Sequence, residues 1–151
     1  MADQVFKNFI NGELVDPADG EFYDVFDPTT GEVYAQAAKS GAEDVDRAMQ
    51  AAEAAFEQWR DATPSPRQQA MLKFADALEE RAEELVAVES RDTGKPLGLT
   101  RSEEIPPMID QLRFFAGAAR VLEGRAAGEY MEGMTSMIRR EPIGVCAQVT
   151  P

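Results

Sequence analysis

The sequence predicts an α/β chain, on three observations. Its first forty residues read as short β-rich runs separated by turn residues, and its middle carries three apolar stripes at helical spacing. Its last stretch, Ile143 to Val149, is a nearly unbroken apolar run entered through Pro142-Ile143-Gly144, which suits a strand covered on both faces of a parallel sheet. Parallel neighbours arrive through crossovers of about a dozen residues or more. The sequence stops two residues after Val149, so this strand is expected to open a further domain.

The N-terminal runs are paired by their turn chemistry. Asn11-Gly12 lies between the apolar stretches Phe6 to Ile10 and Leu14-Val15, and Asn-Gly tolerates the positive φ angles of a tight hairpin. Asp16 to Gly20 is a second turn. Glu21 to Phe26 and Glu32 to Ala38 then flank Asp27-Pro28-Thr29-Thr30-Gly31, which predicts a second pair of strands.

Three helices should follow. Ser40-Gly41-Ala42-Glu43 has the pattern of a capping box, with Ser40 as the cap. Val45, Met49, Ala52, Phe56 and Trp59 then form one stripe. Thr63-Pro64-Ser65-Pro66 ends that helix and starts the next, with Ser65 as cap and Pro66 at the first helical position. Met71, Ala75, Leu78, Ala82 and Leu85 form its stripe as far as Asp92-Thr93-Gly94. Thr100 or Ser102 caps a third helix that absorbs Pro106-Pro107 near its start. Its stripe is Met108, Leu112, Phe115, Ala119 and Leu122, and Gly124 stops it. Thr135 to Glu141 reads as one extended, basic strand. The predicted organisation is a strand region over 1–38, helices over 39–124, a linker and strand over 125–142, and the opening strand over 143–151.

Composition narrows the function. Twenty-eight acidic against fifteen basic residues give a net charge of -13, which disfavours nucleic acid and anionic membrane surfaces as partners. No run approaches a membrane span and the N-terminus lacks a signal pattern, so a cytoplasmic location is expected. The single cysteine, Cys146, excludes an internal disulfide, and the absence of histidine removes the commonest general base and metal ligand. Inside an apolar strand Cys146 is expected to be a buried packing residue, because a nucleophilic thiol needs an electropositive, partly exposed setting.

Chemistry-bearing patterns are few. There is no P-loop, no G-x-G-x-x-G and no nucleophile-base pair. Glu79-Glu80, Glu83-Glu84 and Glu103-Glu104 read as solvated or capping carboxylates, and Arg139-Arg140 as a polar strand rim or an anion contact. Asp92-Thr93-Gly94-Lys95 is the one polar turn with two readings. It is either an exposed helix end closed by Gly94, or a carboxylate beside free backbone carbonyls that holds a hard cation.

Six strings in order, F-I-N-G-E-L-V, D-P-T-T-G-E-V, A-E-D-V-D-R-A, D-T-G-K-P-L, R-F-F-A-G-A-A-R and R-R-E-P-I-G-V, resemble the N-terminal part of NAD(P)-dependent aldehyde dehydrogenases, from Phe6 to Pro151. The stretch from E-E-I-P-P-M-I-D through A-A-G-E-Y-M-E-G-M-T-S-M-I-R-R is further similar to aminobutyraldehyde (1-pyrroline) and betaine aldehyde dehydrogenases. The resemblance implies a Rossmann-type cofactor domain, a catalytic domain and a β-arm used in forming a homo-oligomer, a dimer or tetramer. On that mapping Thr135 to Glu141 belongs to the arm and Ile143 to Val149 is the first cofactor-domain strand. It also implies an aldehyde substrate, here an amino-aldehyde, with NAD as cofactor and NADP as the alternative. The nucleophilic cysteine and the glutamate that activates water are downstream residues in such enzymes, and neither has a counterpart here. Val149, Thr150 and Pro151 match the segment whose backbone lines the cofactor cleft. Asp92 matches a position that joins backbone carbonyls, here near Val25 and Phe26, in a structural K+ or Na+ site. The competing reading is a stand-alone oligomerisation or interaction module without the chemistry.

Overall fold

The computed structural model describes residues 4–150. Five short strands come first: β1 (Gln4–Phe6), β2 (Asn8–Ile10), β3 (Glu13–Val15), β4 (Phe22–Phe26) and β5 (Val33–Ala38). β2 and β3 form the expected hairpin, with Phe9 opposite Leu14, and its Asn11 and Gly12 have φ of 52° and 84°. β4 and β5 form the second pair. β1 adds to β5 in parallel, giving a three-stranded sheet in the order β1-β5-β4. That pairing, Gln4 with Ala35 and Phe6 with Ala37, joins segments too far apart in sequence for local turn chemistry to reveal.

Helix α1 (Ala42–Trp59) starts one residue later than the Ser40 capping box predicts. Gly41 is the cap, and its N–H donates to Asp44 Oδ2 at 3.0 Å. The Ser40 hydroxyl donates instead to Asn8 Oδ1 on β2 at 2.7 Å. Asp44 wins over Glu43 because its other oxygen accepts from the Ala18 N–H at 3.0 Å, so one buried carboxylate ties the β3–β4 loop to the helix.

The second predicted helix is two helices, α2 (Pro64–Glu80) and α3 (Ala82–Thr93), broken at Arg81. Thr63, not Ser65, is the cap, and Pro64 fills the first helical position. After a short helical turn, α4 (Leu97–Leu99), Thr100–Glu104 is π-helical and leads into α5 (Ile105–Ala118). Pro106 and Pro107 carry no N–H to bond the carbonyls four residues back. The Ile105 N–H reaches five back, to Thr100 O, and the wider turn takes up the defect.

Ala75, Val86, Ile105 and Ile109 form the buried cluster, with Leu78, Ala82, Leu85 and Leu112 packed against it. The predicted α2–α3 stripe is therefore core. The α5 stripe is the predicted one only in part: Leu112 packs against the core, but Ile105, Ile109 and Ala116 are the buried residues, while Met108, Phe115 and, beyond the helix, Leu122 are exposed. α5 is apolar on more than one side, so periodicity allowed two faces and the packing of α2 selected one. The α1 stripe also departs from expectation, since Val45, Met49 and Trp59 are exposed and Asp44 is that helix's buried residue.

The C-terminal part holds a hairpin, β6 (Arg125–Met131) and β7 (Met134–Ile138), where one strand was predicted. Gly133, φ 72°, makes the turn. At the hairpin's base a Cβ on Gly124 would collide with the Ile138 carbonyl oxygen, so only glycine fits. Ile143 to Val149 forms no strand, and Ile143 and Val149 are 96% and 97% exposed. Cys146 is likewise exposed rather than buried. An apolar sequence supplies one strand of a ladder, and among the described residues no neighbour offers the other.

Candidate functional site

The corner where α3 ends against the β4–β5 hairpin gathers the polar groups singled out by the sequence. Gly94 (φ 75°) closes α3, donating its N–H to Ser90 O at 2.9 Å. The Ser90 hydroxyl donates to Lys95 O at 2.6 Å, and Lys95 Nζ bridges Glu104 and Glu89 at 2.8 and 3.0 Å. Glu104 first, and Glu89 with it, hold the Lys95 ammonium pKa above its ordinary value. Lys95 is thus a tether between α3 and the π-helical segment.

On the sheet side, Val25 pairs with Ala35 and Phe26 with Val33, so the register slips and Tyr34 is the extra residue of a β-bulge. The bulge buries Tyr34 and sends its hydroxyl across the gap, donating to Asp92 Oδ1 at 2.9 Å. Burial, then this hydrogen bond, raise the Tyr34 pKa above 10.0. The Arg91 guanidinium lies 4.4 Å from the Tyr34 ring centroid and its Nε is 3.9 Å from Asp27 Oδ2. Asp27 Oδ1 accepts from the Thr29 hydroxyl at 2.5 Å and the Thr29 N–H at 2.8 Å, contacts that lower its pKa.

Asp92 is thus joined through Tyr34 to the strand pair that carries Val25 and Phe26, while Oδ2 of Asp92 accepts no hydrogen bond among the described residues. No group of three or more carboxylates, thiols or imidazoles able to hold a metal ion occurs among the described residues. The Arg91 guanidinium over the Tyr34 ring puts a positive charge at this corner and disfavours a cation there. Tyr34, Arg91 and Asp27 were not singled out by the sequence. Tyr34 reaches Asp92 across 58 residues, and no local pattern encodes that contact.

The sequence matches the model of the aldehyde dehydrogenase family over residues 14–151. The chain belongs to that family. A long-chain-aldehyde dehydrogenase from an Acinetobacter species is 36% identical over 97% of this chain, which spans 29% of that protein. A crystal structure of a putative aldehyde dehydrogenase from Burkholderia cenocepacia superposes with TM-score 0.87 at 35% identity, over 91% of this chain and 28% of that one. The structure of PnpE in complex with nicotinamide adenine dinucleotide gives 0.87 at 34%, with the same coverages. The fold is that of the N-terminal part of an α/β aldehyde dehydrogenase.

The family implies NAD. Val149 and Thr150 stand exposed in an unpaired segment, and Pro151 lies outside the described residues. Nothing among the described residues encloses a dinucleotide against them, and no chemistry at the nicotinamide follows from their geometry. No described helix is long and apolar enough to cross a membrane.

Proposed function

We propose that this chain supplies the N-terminal scaffold of an NAD-dependent enzyme that oxidises an aldehyde to the carboxylic acid, with NADP as the alternative cofactor. The family match over residues 14–151 carries the reading. The exposed Val45 and Met49 of α1 support packing of the helical segment on a cofactor domain that includes residues 143–151, where Val149, Thr150 and Pro151 line the dinucleotide by their backbone. The exposed Tyr130, Met131, Met134 and Met137 support β6–β7 as an arm that docks on a second copy in a cytoplasmic dimer or tetramer. The similarity of the 103–140 region to aminobutyraldehyde dehydrogenases supports an amino-aldehyde substrate. The corner of Asp92, Val25 and Phe26 takes K+ or Na+ as a structural ion.

The 151 residues alone are inactive on this reading, because the nucleophilic cysteine and the water-activating glutamate that the resemblance implies have no counterpart among them. Incubating the chain with NAD+ and 4-aminobutanal should produce no NADH absorbance. For the natural gene product, kcat/KM should be at least about tenfold higher for 4-aminobutanal than for a long-chain alkanal, and the reverse order would overturn the amino-aldehyde assignment. KCl in place of choline chloride at equal ionic strength should raise Tm in the native chain and not in Asp92→Ala.

A further inference from the structure

We propose that the cleft between the α1–α2 turn, the end of α5 and residues 139–142 binds a small organic phosphate monoester. The cleft encloses about 770 Å³, and four of the chain's fifteen basic residues, Arg60, Arg67, Arg139 and Arg140, line it. Two carboxylates, Asp61 and Glu141, share the lining, so the cleft is locally cationic in a chain of net charge -13. Such a reversal of sign draws anions to one place.

Three of the arginines leave their ends available. Arg140 Nε donates to Glu123 O at 2.9 Å, Arg60 Nε lies 3.4 Å from Asp61, and Arg139 Nε lies 3.5 Å from Glu141. In each of the three the Nε side is occupied, while the terminal Nη donors make no hydrogen bond among the described residues. The Arg60 and Arg139 side chains are 52% and 82% exposed, so their forks stand open to an incoming oxyanion from solvent. Arg67 is different. Its Nε donates to Ala62 O, and its Nη2 to Trp59 O and Arg60 O, at 2.9 to 3.1 Å, which builds the cleft floor by closing the end of α1.

The remaining wall decides the ligand class. Phe56, Leu122 and Pro142 give the cleft an apolar side, and Leu122 is exposed in it. A phosphate monoester carries close to two charges and three acceptor oxygens at pH 7 on an apolar or ring body, which matches forked donors facing an apolar wall.

The chain's single tryptophan, Trp59, lies under Arg67 with the guanidinium 5.9 Å from the ring centroid, and so reports on the cleft. Phenyl phosphate titrated into the full chain, followed by Trp59 emission and calorimetry, should bind saturably and more tightly than inorganic phosphate. Binding should weaken as salt rises. Arg60→Gln and Arg139→Gln each remove one exposed guanidinium, leave the Arg67 floor in place, and should weaken binding about tenfold or more. Arg81→Gln, outside the cleft, should change nothing, and unaltered circular dichroism certifies the fold of each variant. Unchanged affinity in both cleft variants, or no saturation by 10 mM ligand (roughly 2.7 kcal/mol of affinity), would overturn the proposal. Equal affinity for inorganic phosphate, or tighter binding of NAD+, would likewise overturn the monoester assignment.

Discussion

The helical unit of α2, α3 and α5 and the C-terminal segment from Ala119 to Thr150 contain comparably apolar sequence and end in opposite states. In the helical unit Ala75, Val86, Ile105 and Ile109 are buried against one another, and ion pairs rim them. In the C-terminal segment Met137, Ile143 and Val149 face solvent. A helix satisfies its own backbone and needs only one face covered, whereas a strand needs a neighbour for its backbone as well. Apolar content therefore measures the demand for a partner, and the local element decides whether the chain can meet it alone.

The most forceful way to break this contrast is truncation on each side of it. Ile109→Ala, at a site 5% exposed, should cost about 2–5 kcal/mol in urea unfolding, while Ile143→Ala should stay within about 0.5 kcal/mol. Equal costs would mean that the C-terminal segment is packed. Asp44→Ala comes next. It leaves the N–H groups of Gly41 and Ala18 without their carboxylate and should destabilise by about 1–3 kcal/mol, with protease sensitivity rising first in the β3–β4 loop.

Tyr34→Phe should cost about 1 kcal/mol by removing the hydroxyl donated to Asp92. Its pH dependence sharpens the test. The folded Tyr34 pKa lies above the ordinary 10.0, so the neutral phenol contributes stability below pH 10.0 that is lost as pH rises through the folded value. Native protein should lose more stability than the phenylalanine variant over that alkaline range.

The smallest effect belongs to the rim. Arg113 lowers the Glu79 pKa and Arg101 lowers that of Glu83, both through side-chain hydrogen bonds first. Their contribution is present above the ordinary 4.5 and lost as pH falls through the folded values. Glu79→Gln and Glu83→Gln should flatten the acid limb of a Tm-against-pH curve, and 1 M salt should erase most of the difference from native.

Where a pattern was closed within a few residues, the sequence was enough. Asn11-Gly12 makes its hairpin, Gly94 closes α3, and Met71 through Leu85 supplies the buried side of the α2–α3 pair, because turn geometry and helical period are local properties. The ordered strings of family residues likewise placed the chain among aldehyde dehydrogenases. Tertiary structure decided the rest. It chose Asp44 over Glu43, turned Ile105 and Ile109 inward in place of Met108 and Phe115, added β1 to β5, and reached from Tyr34 to Asp92. Each of these depends on a partner far along the chain, and a residue's own neighbours carry no record of which distant group will arrive. The turn at Asp92 shows both halves: its glycine was readable as a helix stop, and its hydrogen-bond partner became visible only once the sheet had bulged toward it.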